Sequence, residues 1–198
     1  MQPEKGTFHS SYAPVNGLQM YYEVHGQGKP LVLIHGGGST IGTTFGRIMP
    51  ELARHHQVIA VELQAHGHTA DIDRPLSFEQ DADDLAELLK HLQINKSDIF
   101  GFSNGGTTAL QLAIRHPELV DHLIVASALF KRDGAPPLFW DFMETATLKD
   151  MPTKLQSAYL EINPIMRHCK ECMTGISSGC RTLRIFPKAN FNRSRPIR

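Results

Sequence analysis

Cysteine is missing from most of this 198-residue chain: Cys169, Cys172 and Cys180 all fall near its end. The remainder has no disulfide framework, which argues against a small secreted scaffold and for a cytoplasmic protein. No apolar run approaches the roughly 18 to 20 residues that a membrane-spanning helix needs. Residues 1–11 carry Glu4, Lys5 and His9 where an exported protein has an apolar core. A soluble, unexported protein with no membrane partner is expected. Net charge is also missing, with 20 basic against 20 acidic residues, but the balance hides a division. Residues 1–164 hold 12 basic and 19 acidic residues, whereas residues 165–198 hold 8 and 1. Hydrophobic residues at 41% and charged residues at 20% are otherwise ordinary for a globular domain, which excludes disordered, collagen-like and coiled-coil chains.

What is present is an alternation. Leu18 to Val24 reads as a strand closed by the turn cluster Gly26-Gln27-Gly28-Lys29-Pro30. Leu31–Ile34, Val58–Val61, Ile99–Phe102 and Leu123–Ala126 are short and almost continuously apolar, as in strands buried on both faces of a parallel sheet. Helical spacing separates them over Phe45 to His55, after Ser77 (with Gln80 completing a capping-box pattern), and over Gly105 to His116. The pattern predicts an α/β fold: a mostly parallel sheet with helices on both faces. After Asp133 the texture changes. Leu138–Leu148 and Leu155–Ile162 read as short amphipathic helices carrying Phe139, Trp140, Phe142 and Met143, a partial helical cap at the sheet's C-terminal edge. Three units follow: a core over residues 1–134, a cap segment over 135–165, and a basic, irregular tail over 166–198.

Gly101-Phe102-Ser103-Asn104-Gly105, set between a strand and a helix, carries the strongest chemical signal. The G-x-S-x-G pattern places a serine hydroxyl on a strained turn, with Gly101 and Gly105 permitting the close strand-to-helix approach. Ser103 is the candidate nucleophile. The amide of Asn104, at the positive end of the helix, is one candidate oxyanion donor. The loop His35-Gly36-Gly37-Gly38 supplies the other, with Gly37 the first choice and Gly38 the second. That loop has neither the G-x-G-x-x-G spacing nor the Lys-Ser/Thr of a phosphate-binding turn, and no cofactor or metal is expected.

With the loop at 35–38, the Glu62–Thr69 segment, the elbow at 101–106 and the helix ending Arg115-His116-Pro117-Glu118, the chain resembles the α/β-hydrolase superfamily from about Leu18 to Pro164. It is most similar to esterase and lactonase members with a helical cap. The resemblance implies an acyl-serine intermediate and a small-molecule ester or lactone substrate. It makes His35 structural, and the serine at 103 sets the chain apart from the Asp-nucleophile epoxide hydrolases and haloalkane dehalogenases. It also implies an Asp or Glu and then a His after late strands. Only His116, His122 and His168 follow Ser103, and none follows a late strand. The triad therefore reads as incomplete, and the alternative is a catalytically inactive, truncated or binding-only scaffold.

Cys169-x-x-Cys172 with Cys180 and His168 lacks a second pair at zinc spacing, and the basic tail interleaves only Phe186 and Phe191. Neither a metal nor nucleic acid is expected there. A frame shift applied to back-translated residues 174–194 yields a string resembling the family's continuation. The tail is accordingly expected to be the frameshifted or truncated end of a longer hydrolase, with the sheet incomplete on its C-terminal side and self-association through the open edge.

Overall fold

The computed structural model describes residues 8–146 and 150–162. Its six strands are β1 (His9–Val15), β2 (Leu18–His25), β3 (Lys29–Ile34), β4 (His56–Val61), β5 (Ser97–Phe102) and β6 (Val120–Ala126). They form one sheet in the order β1-β2-β4-β3-β5-β6. The last four are parallel, and β1 and β2 form an antiparallel hairpin added at one edge.

The continuous apolar runs are explained by two cores. Val32, Ile34, Ile59 and Val61 turn to one face, under α3 (Phe78–His91) and α4 (Asn104–Arg115). Their neighbours Leu31, Leu33, Val58 and Ala60 turn to the other, under α1 (Ile41–Phe45) and α2 (Met49–Leu52). A strand covered on both faces has no solvent side and hence no polar alternation.

Two expectations are corrected. The single helix expected over Phe45–His55 is two shorter ones. Thr40 opens α1 five residues early through a reciprocal cap with Thr43. Pro50, which has no N–H to continue a helix, lies in the first turn of α2 and so marks a fresh start. Phe45 and Met49 are buried, but Ile48 between the helices is largely exposed. Strand β1 was not foreseen, because only Ala13 and Val15 along it are buried.

At α3 the Ser77 hydroxyl accepts from the Gln80 N–H, as expected, while the Gln80 side chain turns to Asp84 instead of back to the cap. Ser77→Ala is expected to cost about 1 kcal/mol, read as a shift in the urea midpoint.

Among the described residues β6 pairs only with β5. Leu123, Ile124 and Val125 on it are between 36% and 51% exposed. Beyond β6 come α5 (Pro137–Thr145) and α6 (Thr153–Ile162). Trp140 of α5 is buried against Phe78 of α3, and its indole N–H donates to the Arg132 carbonyl at 2.8 Å. Phe139, itself 38% exposed, and Met143 line the cavity beside Ser103, whereas Phe142 is half exposed. No helix among the described residues is long and apolar enough to cross a membrane. Cys169, Cys172, Cys180, His168 and the frame-shift reading lie outside the described residues.

Candidate active site

The site lies where β3, β5 and α4 meet. Ser103 has φ 53° and ψ −117°, a conformation that a residue with a Cβ seldom adopts. Surrounding backbone holds it there. Its N–H donates to the Ala126 carbonyl of β6 at 2.8 Å, and its own carbonyl accepts from Gly106 and Thr107 as α4 begins. The flanking glycines have a steric cause. A Cβ on Gly101 would overlap the Gly105 carbonyl, and one on Gly105 would overlap the carbonyl oxygens of Ile34 and His35. Strand, turn and helix fit together only because both are glycine.

The loop after β3 runs beside this turn, so close that a Cβ on Gly36 would sit 3.5 Å from the Ser103 Cβ. Two buried imidazoles secure it. His35 Nδ1 donates to the Gly36 carbonyl at 2.8 Å, and its Nε2 accepts from the Leu63 N–H at 3.1 Å. Burial, reinforced by the neighbouring His66 ring, pushes the His35 pKa down to about 3, which keeps the imidazole neutral. The Gly36 carbonyl also accepts from the Ser39 N–H and hydroxyl.

Gly38, the second choice as oxyanion donor, is corrected by its partner: its N–H donates to His66 Nε2 at 3.0 Å and is not directed at a ligand. Among the described residues, neither the Gly37 nor the Asn104 N–H has a protein acceptor. Both residues line a cavity of about 420 Å³ with Ser103, closed by Phe78, Leu129, Phe139, Trp140 and Met143. A second cavity, of about 380 Å³, lies on the other side of Ser103 and Gly37, where Ser39, Thr43, Thr44, Phe45, Phe102 and Leu155 line it.

The histidines after Ser103 stand apart from it. His116 caps the far end of the twelve-residue α4, about 18 Å away at 1.5 Å per residue, and bonds Asp83 at 2.7 Å. His122 is at the opposite end of β6 from Ala126, where it bonds Asp98 at 2.8 Å; Lys29 lies between Asp98 and Asp121 in that cluster. No histidine among the described residues hydrogen-bonds the Ser103 hydroxyl.

The sequence reading missed His66, Ser39, Phe78 and Leu129. His66 had a local signal, an imidazole in a Gly-containing turn after a buried strand. The cavity-lining residues had none, since chain segments far apart bring them together.

The family model of the α/β hydrolase fold matches residues 29–167. The chain belongs to that family. It is 30% identical over 139 residues to the 2-hydroxy-6-oxo-6-(2'-aminophenyl)hexa-2,4-dienoic acid hydrolase of Metapseudomonas resinovorans, a match covering 66% of this chain and 48% of that one. It is 28% identical over 173 residues to the human serine hydrolase BPHL, covering 84% and 60%. Among solved structures, the 2-hydroxy-6-oxo-6-phenylhexa-2,4-dienoate hydrolase of Rhodococcus sp. strain RHA1 superposes with a TM-score of 0.71 at 21% identity, covering 94% of this chain and 78% of that one. The matched stretch spans about half the length of these two curated relatives.

Proposed function

We propose that the chain is a serine hydrolase scaffold for carboxylic esters or lactones. The observation that carries this reading is the placement of Ser103: a strained turn at the junction of two cavities, beside the amides of Gly37 and Asn104, which have no partner among the described residues. The Ser103 Oγ attacks the carbonyl carbon and forms a C–O bond. The displaced π electrons go to the carbonyl oxygen, which the two N–H groups receive. Collapse expels the alcohol, or opens the lactone, and leaves acyl-Ser103; water then attacks the acyl carbon and frees the acid. With no imidazole on Ser103 among the described residues, the hydroxyl proton passes to water and acylation is slow. The acyl group suits the aromatic cavity under α5, and the leaving group the cavity bearing the Ser39, Thr43 and Thr44 hydroxyls.

Family membership supports hydrolysis, and the relative named for a 6-oxo acid has a carbonyl in its substrate, as esters and lactones do. The Ser103 hydroxyl, unpartnered among the described residues, favours a second reading, a binding-only scaffold that holds a carbonyl compound without turning it over. A fluorophosphonate probe separates the two. Slow labelling is expected, with the adduct mass on the peptide containing Ser103 and none on Ser103→Ala. A folded wild-type protein that takes up no label after prolonged incubation supports the binding-only reading.

A further inference from the structure

The loop that carries Gly37 contains three consecutive glycines, the residue type with the most backbone freedom. An oxyanion donor works only when it is aimed before the reaction begins. Some feature of the fold must therefore restrict this loop, and the hydrogen bonds around it identify the restraint.

On one side of Gly37, the Gly36 carbonyl is held by His35 Nδ1 and by the Ser39 N–H and hydroxyl. On the other side the Gly38 N–H is held by His66 Nε2 at 3.0 Å. The peptide groups before and after Gly37 are thus both anchored, while its own N–H is left without a protein partner among the described residues. His66 is itself fixed. Its Nδ1 meets the Gln64 carbonyl at 2.8 Å and must donate, while Nε2 faces an N–H and must accept. These two contacts allow one neutral tautomer. The ring is almost fully buried and lies tilted against His35, with centroids 4.8 Å apart. Desolvation lowers its pKa from the ordinary value, which keeps Nε2 free to accept.

We propose that His66 is a positioning residue for the oxyanion site: by accepting the Gly38 N–H it locks the glycine loop so that the Gly37 N–H faces the carbonyl oxygen of a group bound to Ser103. The proposal rests on the serine-hydrolase reading above. His66 touches no substrate and acts through the backbone of residues 37 and 38. A replacement that fills the same space without an acceptor releases Gly38, and the loop then has no fixed donor to offer.

The experiment compares wild type, His66→Phe, His66→Gln and His66→Asn. Phe keeps the ring's bulk and loses the acceptor. Gln keeps an oxygen long enough to reach Gly38, and Asn has one that falls short. At saturating fluorophosphonate, His66→Phe and His66→Asn should label Ser103 about tenfold to a hundredfold more slowly than wild type, short of the roughly 10² to 10³ that outright removal of one oxyanion donor costs, because the Gly37 N–H is misplaced and not lost. The probe concentration giving half the maximal rate should stay unchanged, and His66→Gln should restore the rate to within about threefold. In ¹⁵N-labelled wild-type protein, a scalar coupling should appear between the Gly38 amide nitrogen and His66 Nε2 across the hydrogen bond.

Absence of that coupling overturns the proposal, as does a folded His66→Phe that labels at the wild-type rate while wild type itself labels. If His66→Phe does not fold, the Asn and Gln variants decide the matter, and equal rates for the two overturn it. A wild-type protein that shows the coupling but never labels overturns the serine-hydrolase reading, and the positioning role with it.

Discussion

Gly105→Ala is expected to lower the stability of the fold by more than about 4 kcal/mol, the range reached only by severe core disruption. The added methyl would overlap the carbonyl oxygens of both Ile34 and His35. Both are backbone atoms at the end of the central strand β3, so neither can swing aside as the tip of a side chain would. The remaining relief is to move α4 off the sheet, which opens the packing of Ala109 and Leu112 against the core. Since a domain of this size is stable by roughly 5 to 15 kcal/mol in total, a large part of its stability margin goes with it. Gly17→Ala is the control: its φ of 84° also favours glycine, but nothing lies within 4 Å of the new methyl. That variant should lose only about 1 to 2 kcal/mol, the cost of a left-handed residue. Urea midpoints of the two variants read the difference. Equal losses would mean that the strand-to-helix approach at Gly105 is not the constraint described.

Stability should peak near pH 6.5 and fall on both sides. Burial and the adjacent Asp84 carboxylate raise the Asp81 pKa from 3.8 to about 8, with Arg74 opposing. Between those values the native state holds a proton that the unfolded chain has lost, so rising pH removes stability at about 1.4 kcal/mol per pH unit. His35 and His66 act in the opposite direction, with native pKa values pushed below the ordinary 6.5 by burial first. Below pH 6.5 the unfolded chain takes up protons that His35 and His66 accept in the native state only at lower pH, which removes stability as pH falls. On the acid side His35 and Asp81 offset one another, and His66 supplies the net loss. Above pH 6.5 Asp81 acts alone among these three. Below about pH 4 the decline steepens, because ion pairs hold Asp83, Asp98 and Asp121 below their ordinary values and that stability is lost as they protonate. Melting temperatures at pH 5, 6.5 and 8 test the profile, and Asp81→Asn should flatten its alkaline limb and steepen its acid limb, where the aspartate no longer opposes the histidines. A monotonic rise from pH 5 to 8 would refute the assignment.

Much of the frame was legible because the strongest signals are local. Four continuous apolar runs mark β3, β4, β5 and β6 without reference to anything distant; β3 and β4 are covered on both faces, whereas the run in β6 is exposed. The elbow was equally plain, its two glycines being required by contacts within a few residues and with the neighbouring strand. Strand β1 was missed although Asn16-Gly17, at φ 46° and 84°, is the pair that a tight hairpin prefers. Its polar outer positions concealed the period. The hydrogen-bonding assignment of Gly38 could not be read at all. It depends on His66, twenty-eight residues away, and on which of three glycine amides the folded loop turns inward. For the same reason Phe78 and Leu129 gave no sign of lining a cavity with Ser103.

The positive φ of Ser103 also has a meaning in time. The turn is held by a hydrogen bond to Ala126 on β6 and by the fit of Gly105 against Ile34 on β3. Residues separated by about seventy positions must therefore be in register before the hydroxyl takes its place. Parallel strands joined through crossover helices are slow to pair, because each contact closes a long loop. Helices α3 and α4, whose hydrogen bonds are local, can form well before that. A chain emerging from synthesis or from denaturant thus regains its helical content first and its serine turn last. A covalent probe that reacts only with the finished turn therefore counts assembled sheets, where helical content would also count molecules still on the way.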